Sequence, residues 1–564
     1  MRGTAAIRFA SVGSVWGWIV GTVAVIGGAI AVAVSPHEPW FNGGGLSQVQ
    51  QFLGAALEPD VSPDFLRLTA LAALQTLAFA ICGTVASLGL GFGLGVVASE
   101  VWWMAIAPRW SWGVSRVVRT ALAIPRTLHE ALWGVLCVEL FGLDPLVAIV
   151  AIAIPFGAIV AKVFSELMDE APRQGFDALR GAGAKPVAAF AYGILPMVWA
   201  DLWSYGLYRF DCAIRSAAVL GIIGAGGLGY EIRLSLQSLR YEQLWTLLIA
   251  LGGLTAIGDL WAVTSTGRSL DEIRNRQGNT GSRSIAARAG RNPWTIGAWL
   301  GAIAVIVASF VGVGADYSKL WSPITYQRGW TLLLGAWPPD WSTLGDSWGA
   351  AITVLRDTAV MSIVAIAIAG VGGIIFAFLG SQQLGNTASS GTSRRFPLAL
   401  LRIIAVRGIL LAERAVPAPV WALLCLFILF PGILPGAIAL GIHNMGVLGR
   451  LMAEVVDNLD QRPLDGLRTT GAGPVAIFFY GVLPQTLPRF LGYILYRWEV
   501  CLRATIIVGL VGAGGLGRII SEALSSFHYA GLSSALIALF GLTLMGDTVS
   551  QLLRRQLRDT SNPC

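Results

Sequence analysis

Residues Asp177–Pro196 read DALRGAGAKPVAAFAYGILP, and residues Asp465–Pro484 read DGLRTTGAGPVAIFFYGVLP. The two stretches lie 288 positions apart. Over Phe176–Pro196 against Leu464–Pro484, 13 of 21 positions are identical, including Gly183/Gly471, Pro186/Pro474, Tyr192/Tyr480 and Pro196/Pro484. Identity that dense at one displacement marks an internal repeat, so every other segment is read against it. Each copy is a short polar helix with a glycine at a break, then a rise through Leu-Pro into a long apolar run. Nothing in that order suits catalysis. It suits a cytoplasmic helix held rigidly between two membrane spans, where another protein can push on it.

Working outward, the 564 residues are 55% hydrophobic and 13% charged, with a mean hydropathy of +0.68. Soluble chains carry about 25% charged residues, so this composition points to an all-α polytopic membrane protein. The net charge of +7 sits mainly as Arg in short loops between apolar runs, where it sets topology rather than binding nucleic acid. The six cysteines form no CxxC pair and mostly lie inside apolar segments, which reads as small hydrophobes rather than as a metal or disulfide framework.

The first half contains apolar runs at Val15–Val34, Leu68–Val97, Ala131–Phe141 and Leu146–Val163, a long run to about Ile223, and a last span near Leu244–Val263. The loop of residues 35–65 has four acids and no Lys or Arg and is placed outside. The loop with Arg109, Arg116, Arg119 and Arg126 is placed inside. Asp144 is the only charge of the tight outer turn after Phe141. The second half repeats the plan near Ile296–Val313, Ala350–Leu379, Val416–Phe430, Ile433–Met452, Leu487–Val511 and Leu532–Leu552, with inner arginines at Arg394, Arg395, Arg402 and Arg407 and in the tail. Residues 1–266 and 292–564 are therefore two six-span repeats, about 12 spans in all, with both termini inside. They are joined by the Arg-rich cytoplasmic linker 267–291. Duplicated loops of about 166–196 and 454–484 hold the repeated helices.

The duplicated segment resembles the cytoplasmic coupling motif of bacterial ABC-importer permeases, a helix, a glycine and an I-x-L-P ending, here Gly193-Ile-Leu-Pro196 and Gly481-Val-Leu-Pro484. In that family the helix docks into a groove of an ATPase subunit. The resemblance implies ATPase-coupling roles for Asp177, Leu179, Arg180 and Gly183, and for Asp465, Leu467, Arg468 and Gly471. The residues themselves agree with a helix that stops there. Glycine accepts φ > 0 at a helix end, and Arg180 and Arg468 sit in the last turn, where the dipole favours cations. Downstream, Tyr496–Arg503 (YRWEVCLR) and Gly509–Gly517 (GLVGAGGLG), with Tyr208–Arg215 (YRFDCAIR) and Gly221–Gly229 (GIIGAGGLG), are similar to the phosphonate-uptake permease family. Arg414-Ala-Val-Pro417 and Trp421 follow the same pattern, whereas Arg126-Thr-Leu-His129 departs from it at His129.

Gly224–Gly229 and Gly512–Gly517 also spell G-x-G-x-x-G, but no βαβ unit surrounds them, which excludes a dinucleotide site. Gly224, Gly226, Gly512 and Gly514 are read instead as glycines lining the path, where they permit close helix packing and an unwound turn. No G-x-x-x-x-G-K-[ST] occurs, so the chain itself holds neither ATP nor Mg and is not an enzyme. Charges inside a span default to function. Arg209, Asp211 and Arg215, with Arg497, Glu499 and Arg503, lie within the fifth span of each half. Asp211 with Arg215 and Glu499 with Arg503 are spaced i,i+4, which predicts ion pairs along one helix face and one surplus Arg in each trio. Two readings stand: a path for a small anionic substrate, or structural salt bridges. Asp259 and Asp547 are read as structural. No metal cluster is found, and the four histidines (37, 129, 443 and 528) are dispersed.

The resemblance thus implies an ABC-importer permease fused from two halves, in the plasma membrane of a bacterium. Its partners would be two cytoplasmic ATPase subunits and an extracytoplasmic solute-binding protein, with ATP and Mg on the ATPases. The cargo would be phosphonate, phosphate or phosphite. Another solute such as methionine is the alternative within the class. An ATP-independent secondary transporter is the alternative outside it, and that class has no reason to keep two matching helix–Gly–Leu-Pro loops.

Overall fold

The computed structural model describes residues 24–34, 40–107, 111–258, 293–381 and 396–561. The linker 267–291, Asp259, Arg109, Arg394, Arg395, both termini and the start of the first apolar run lie outside the described residues. Within them the secondary structure is helical, apart from one antiparallel bridge between Phe41 and Leu429. Among the described residues, four helices are long and apolar enough to cross a bilayer: Pro63–Ala98, Leu146–Glu170, Trp348–Gly380 and Tyr529–Arg554, at mean hydropathies of 1.9, 2.5, 2.5 and 1.6. Three bent pairs raise that to as many as seven: Pro186–Gly193 with Leu195–Ala225 (56°), Leu400–Ala415 with Ala418–Ile428 (92°), and Pro474–Leu510 with Gly515–Ser525 (47°). Ala24–Ala33 and Leu300–Gly312 are shorter apolar helices. Multi-pass insertion follows directly, since helices satisfy their own backbone in lipid.

The chain forms two compact units, and their boundaries differ from those of the sequence repeat. One unit comprises residues 54–331; the other combines 1–53 with 332–564. In the first, Phe79, Cys82, Cys137, Ile152, Phe156, Ile214 and Leu220 build a core that also takes Phe310 from helix Pro293–Gly312 and Val313 just after it. In the second, Val360, Met361, Val364, Ala437, Leu440, Cys501 and Val508 build a core that takes Ala29 and Ala33. Each unit therefore includes an early helix that the sequence assigns to the other repeat.

Small residues bring the long helices together. A Cβ on Gly83 would sit 2.8 Å from Ile152, and one on Gly441 would sit 3.0 Å from Ile368. The exchanged segments are also pinned by polar contacts. In the unit of residues 54–331, Lys319 Nζ donates to Asp144 Oδ2 at 2.6 Å, and the Leu146 and Asp316 amides donate to Asp144 Oδ1 at 2.8 and 3.4 Å. Burial opposes the Asp144 charge, but the Lys319 ammonium and the two amides together outweigh it and hold the carboxyl below its ordinary range. In the other unit, main-chain contacts predominate, beside one from Asn42 Nδ2 to Phe427 O at 3.5 Å. Asn42 donates its amide to Ile428 at 2.8 Å, Phe430 donates to Trp40 at 3.3 Å, and a Cβ on Gly45 would lie 1.7 Å from the Phe427 oxygen.

Candidate coupling and permeation sites

The duplicated polar stretch forms helix Gln174–Gly181 in one unit and helix Gln461–Thr469 in the other. Both end in the same way. Gly183 and Gly471 adopt φ of +85° and +80°, which only glycine takes cheaply. The Gly183 amide donates to Arg180 O and the Ala184 amide to Leu179 O, each at 3.0 Å; Gly471 donates to Arg468 O at 3.0 Å and Ala472 to Leu467 O at 3.2 Å. That pair of reversed bonds is a Schellman cap, and Leu179 with Ala184, like Leu467 with Ala472, supplies its usual apolar contact. The motif leucines thus hold the cap, while Asp177, Arg180, Asp465 and Arg468 face outward and are exposed. The arginines differ: Arg180 Nη1 donates to Ala184 O at 3.0 Å, whereas Arg468 Nη1 pairs with Asp465 at 2.7 Å.

Gly193 and Gly481, which open the Leu-Pro ending, set how closely each helix lies on the next. A Cβ on Gly193 would meet Phe176 Cα at 2.9 Å, and one on Gly481 would meet Leu464 Cδ2 at 2.6 Å. The signal for both was their shared place before Leu-Pro in each repeat.

The intramembrane charges fall into two dissimilar sets. In helix Leu195–Leu220, Arg215 Nη2 pairs with Asp211 Oδ2 at 2.7 Å, the i,i+4 contact that the spacing predicts. Arg209 is only 7% exposed, and its guanidinium carbon lies 3.7 Å from the Phe156 ring centroid. In helix Leu483–Leu510, Arg497 Nε donates instead to Asn444 Oδ1 at 2.7 Å. Asn444 stands 288 positions after Phe156, so one site offers an aromatic face and the other an amide oxygen. For Glu499 the prediction needs correcting. Its carboxylate takes Arg554, from the last helix, as an ion-pair partner, and Arg503 Nε donates at 3.3 Å to the Glu499 main-chain carbonyl. The i,i+4 rule considers one helix alone, and here a neighbouring helix supplies a cation. Asp547, on that last helix, has a buried Oδ1 without a hydrogen bond.

The glycine-rich runs break their helices at equivalent points. Gly224, Gly226 and Gly227 have φ of +122°, +103° and +71°; Gly512, Gly514 and Gly515 have +103°, +82° and +67°. In the first unit the break includes one wide turn, Gly221–Ala225. The helices that follow, Gly227–Gln237 and Gly515–Ser525, have their first amides satisfied from a long helix: Leu228 donates to Thr76 Oγ1 at 2.8 Å and Leu516 to Thr358 Oγ1 at 2.9 Å. Gln75 Oε1 adds a bond from the Gly227 amide at 3.0 Å. Thr76 and Thr358 lie 282 residues apart, off the 288 register, so the repeat does not point to them. A polar pair amid an apolar helix, Gln75-Thr76 and Asp357-Thr358, was the available signal. Among the described residues, no group of three or more His, Cys, Asp or Glu is placed to hold a metal ion.

Two helical units with duplicated, outward-facing capped helices and charges buried within spans define a transport component of the membrane. The family described as the binding-protein-dependent transport system inner membrane component matches residues 401–559. The phosphite transport system permease protein PtxC of Stutzerimonas stutzeri is 34% identical over 228 residues, which are 40% of this chain and 77% of that protein. The phosphate-import permease protein PhnE of Mycolicibacterium smegmatis is 26% identical over 444 residues, 79% of this chain and 78% of that one. No solved structure matches the chain. The chain belongs to the binding-protein-dependent transport permeases, of the branch that contains the phosphate, phosphite and phosphonate permeases, and is not itself an enzyme. The same 228 residues are 40% of this chain and 77% of PtxC, so PtxC is about half as long, whereas PhnE is as long as this chain. That is the relation expected of two fused permease halves.

Proposed function

We propose that this chain supplies both transmembrane halves of an ATP-driven importer for phosphonate or a related oxyanion, phosphate or phosphite. Two parallel six-span repeats surround one path in a bacterial plasma membrane, with both termini cytoplasmic. Two ATPase subunits dock on the cytoplasmic face and a solute-binding protein delivers cargo from outside. The observation that carries this reading is the Schellman-capped helix found once in each unit. Its polar face is exposed while its leucine is tied into the core, as a lever pushed by a partner requires. ATP-driven closure of the ATPases would displace both helices and rock the spans, and the broken helices at Gly224–Gly227 and Gly512–Gly515 would border the path. Arg209, Arg215, Arg497 and Arg503 would give that path a positive field suited to an anion, weak enough for release.

The test is reconstitution of the chain in liposomes with an ATPase and a solute-binding protein that co-purify with it. ATP-dependent accumulation of labelled phosphate, phosphite or methylphosphonate, dependent on the binding protein, is expected. Uptake independent of ATP would instead indicate a secondary transporter, and uptake of only a non-anionic solute would overturn the substrate class.

A further inference from the structure

Each duplicated helix is joined to the span before it at an aspartate. Asp169 is the penultimate residue of helix Leu146–Glu170, and Asp457 is the last of Ile433–Asp457; the duplicated helices begin at Gln174 and Gln461. Fifty positions upstream of each aspartate stands an arginine that binds it. Arg119 Nη2 pairs with Asp169 Oδ2, and Arg407 Nη2 pairs with Asp457 Oδ2 at 2.8 Å. The Nε of each guanidinium is used too: Arg119 Nε donates to Ala98 O at 3.0 Å, and Arg407 Nε to Gly380 O at 3.4 Å. Ala98 and Gly380 are the last residues of the long helices Pro63–Ala98 and Trp348–Gly380. One arginine therefore ties together the end of a long helix, its own helix and the root of the duplicated helix. A planar fork reaches a carbonyl and a carboxylate at once; an ammonium does not.

In residues 54–331 the joint extends further. Asp169 also accepts from Ser99 Oγ at 2.7 Å and from the Glu100 and Val101 amides at 3.2 and 3.1 Å, so it caps helix Glu100–Ile106. That helix packs Val101 and Ala105 into the cluster that holds Phe176 of the duplicated helix, and Trp102 meets Phe190 edge-on at 5.2 Å. Arg407 is nearly half exposed, and pairs so placed add little stability. Yet the three-way geometry recurs in both units, while the partners of Arg209 and Arg497, and of Asp211 and Glu499, have diverged.

We propose that Arg119–Asp169 and Arg407–Asp457 are positioning pairs, which make each duplicated helix and the end of the preceding long helix move as one body. The inference rests on the coupling role given above to the duplicated helices. With the pair intact, displacement of the helix is transmitted to the long span; without it, the joint bends.

The test uses Asp457→Asn, Arg407→Gln, Arg407→Lys and the exchanged Arg407→Asp/Asp457→Arg in the full chain. The first readout needs no transport: amide hydrogen exchange over residues 461–472 in the purified protein. Asp457→Asn and Arg407→Gln are expected to speed exchange there by about tenfold while the spans keep wild-type protection. Arg407→Lys should recover part of it, and the exchanged pair more than half. In the reconstituted transporter the same single variants should lower molecules carried per ATP by about fivefold at unchanged basal hydrolysis. Wild-type exchange over residues 461–472 in both single variants overturns the proposal, and so does faster exchange spread evenly over all helices, the mark of a merely stabilising bridge. If the wild-type complex itself shows no coupled hydrolysis, the coupling role fails instead, and the exchange readout still decides whether the pairs position the helix.

Discussion

Ala184 donates its amide to the carbonyl of Leu179 at 3.0 Å, and 288 residues later Ala472 does the same to Leu467 at 3.2 Å. This bond folds the chain back on the end of the duplicated helix, and it requires the left-handed residue between, Gly183 or Gly471. Neither glycine is sterically confined, since a Cβ at either meets nothing within 4 Å. Their requirement is therefore conformational alone.

The first prediction follows from that separation. Gly183→Val or Gly471→Val places a β-branched residue at positive φ, at a cost of about 1–2 kcal/mol or somewhat more, and unravels the cap. Gly183→Asn and Gly471→Asn, whose side chain tolerates this conformation, should be nearly silent. Binding-protein-stimulated ATP hydrolysis of the assembled transporter is the measurement: strong loss for Val at unchanged membrane insertion, near-normal stimulation for Asn. Equal loss for both would refute a purely conformational role.

A second prediction separates two glycines that look equivalent in sequence. At Gly193 the added methyl would press on the Phe176 main chain, at 2.9 Å from Cα and 3.0 Å from N; at Gly481 it would press on the ends of the Leu464 and Leu467 side chains, at 2.6 and 3.0 Å. Side-chain tips rotate away and backbone does not. Gly193→Ala should therefore cost about 1–3 kcal/mol and displace its helix, while Gly481→Ala should cost clearly less. Limited proteolysis around residues 172–186 and 460–474, compared between the two variants, reads the difference.

Much of this arrangement was legible because it obeys local rules. The ends of Glu130–Phe141 and Trp348–Gly380 and the start of Leu146–Glu170 follow apolar runs bounded by Gly, Pro or charge, and the stop at Gly183 follows from helix-cap chemistry; the far end of Leu146–Glu170 runs seven residues past the apolar run that ends at Val163. What sequence hid was chosen by neighbours distant along the chain. The packing of Ala29 into the cluster of Val360, and of Val313 into the cluster of Ile152, depends on segments that meet only after folding, and no periodicity records it. Glu499 has a local candidate in Arg503, but Arg554 reaches its carboxylate from another helix. Thr76 and Thr358 cap helices some 150 residues away, and their own spacing slips out of the repeat register.

The third prediction concerns Asp144 and Lys319. Because the carboxyl is held below its ordinary value of 3.8, its contribution to stability is present at neutral pH and is lost as the pH falls through the lowered value. Lys319→Met removes the strongest opposing charge and leaves burial to raise the Asp144 carboxyl. Melting of the purified chain at pH 7 should fall by about 2 °C. The gap from wild type should narrow steadily as the pH drops below about 4, where the wild-type contribution is itself lost. A gap that stays constant down to pH 3 would show that packing of the lysine stem, and not its charge, matters.

The last prediction decides what the buried charges of the second half are for. Glu499 joins Arg554 across two helices, so Arg554→Ala takes the ion-pair partner from a carboxylate that is about nine-tenths buried and should destabilise the chain by about 3 kcal/mol. Glu499→Gln with Arg554→Gln removes both charges together and leaves two groups able to hydrogen-bond. It should regain most of the lost stability, because breaking a buried pair costs more than deleting it. If the pair only fastens the last helix, the double variant also recovers uptake per folded molecule. Arg503→Gln leaves that ion pair in place, so uptake counted per folded molecule reports on Arg503 itself. A fall in anion uptake of about tenfold, with binding-protein affinity and basal hydrolysis unchanged, is the expected result for a cation that meets the substrate in transit. Wild-type uptake in Arg503→Gln would leave Arg497, held by Asn444, as the arginine of that helix to test next. The matching change Arg215→Gln cuts the Asp211 pair and should lower stability and transport together, since there the same arginine serves as the acid's partner.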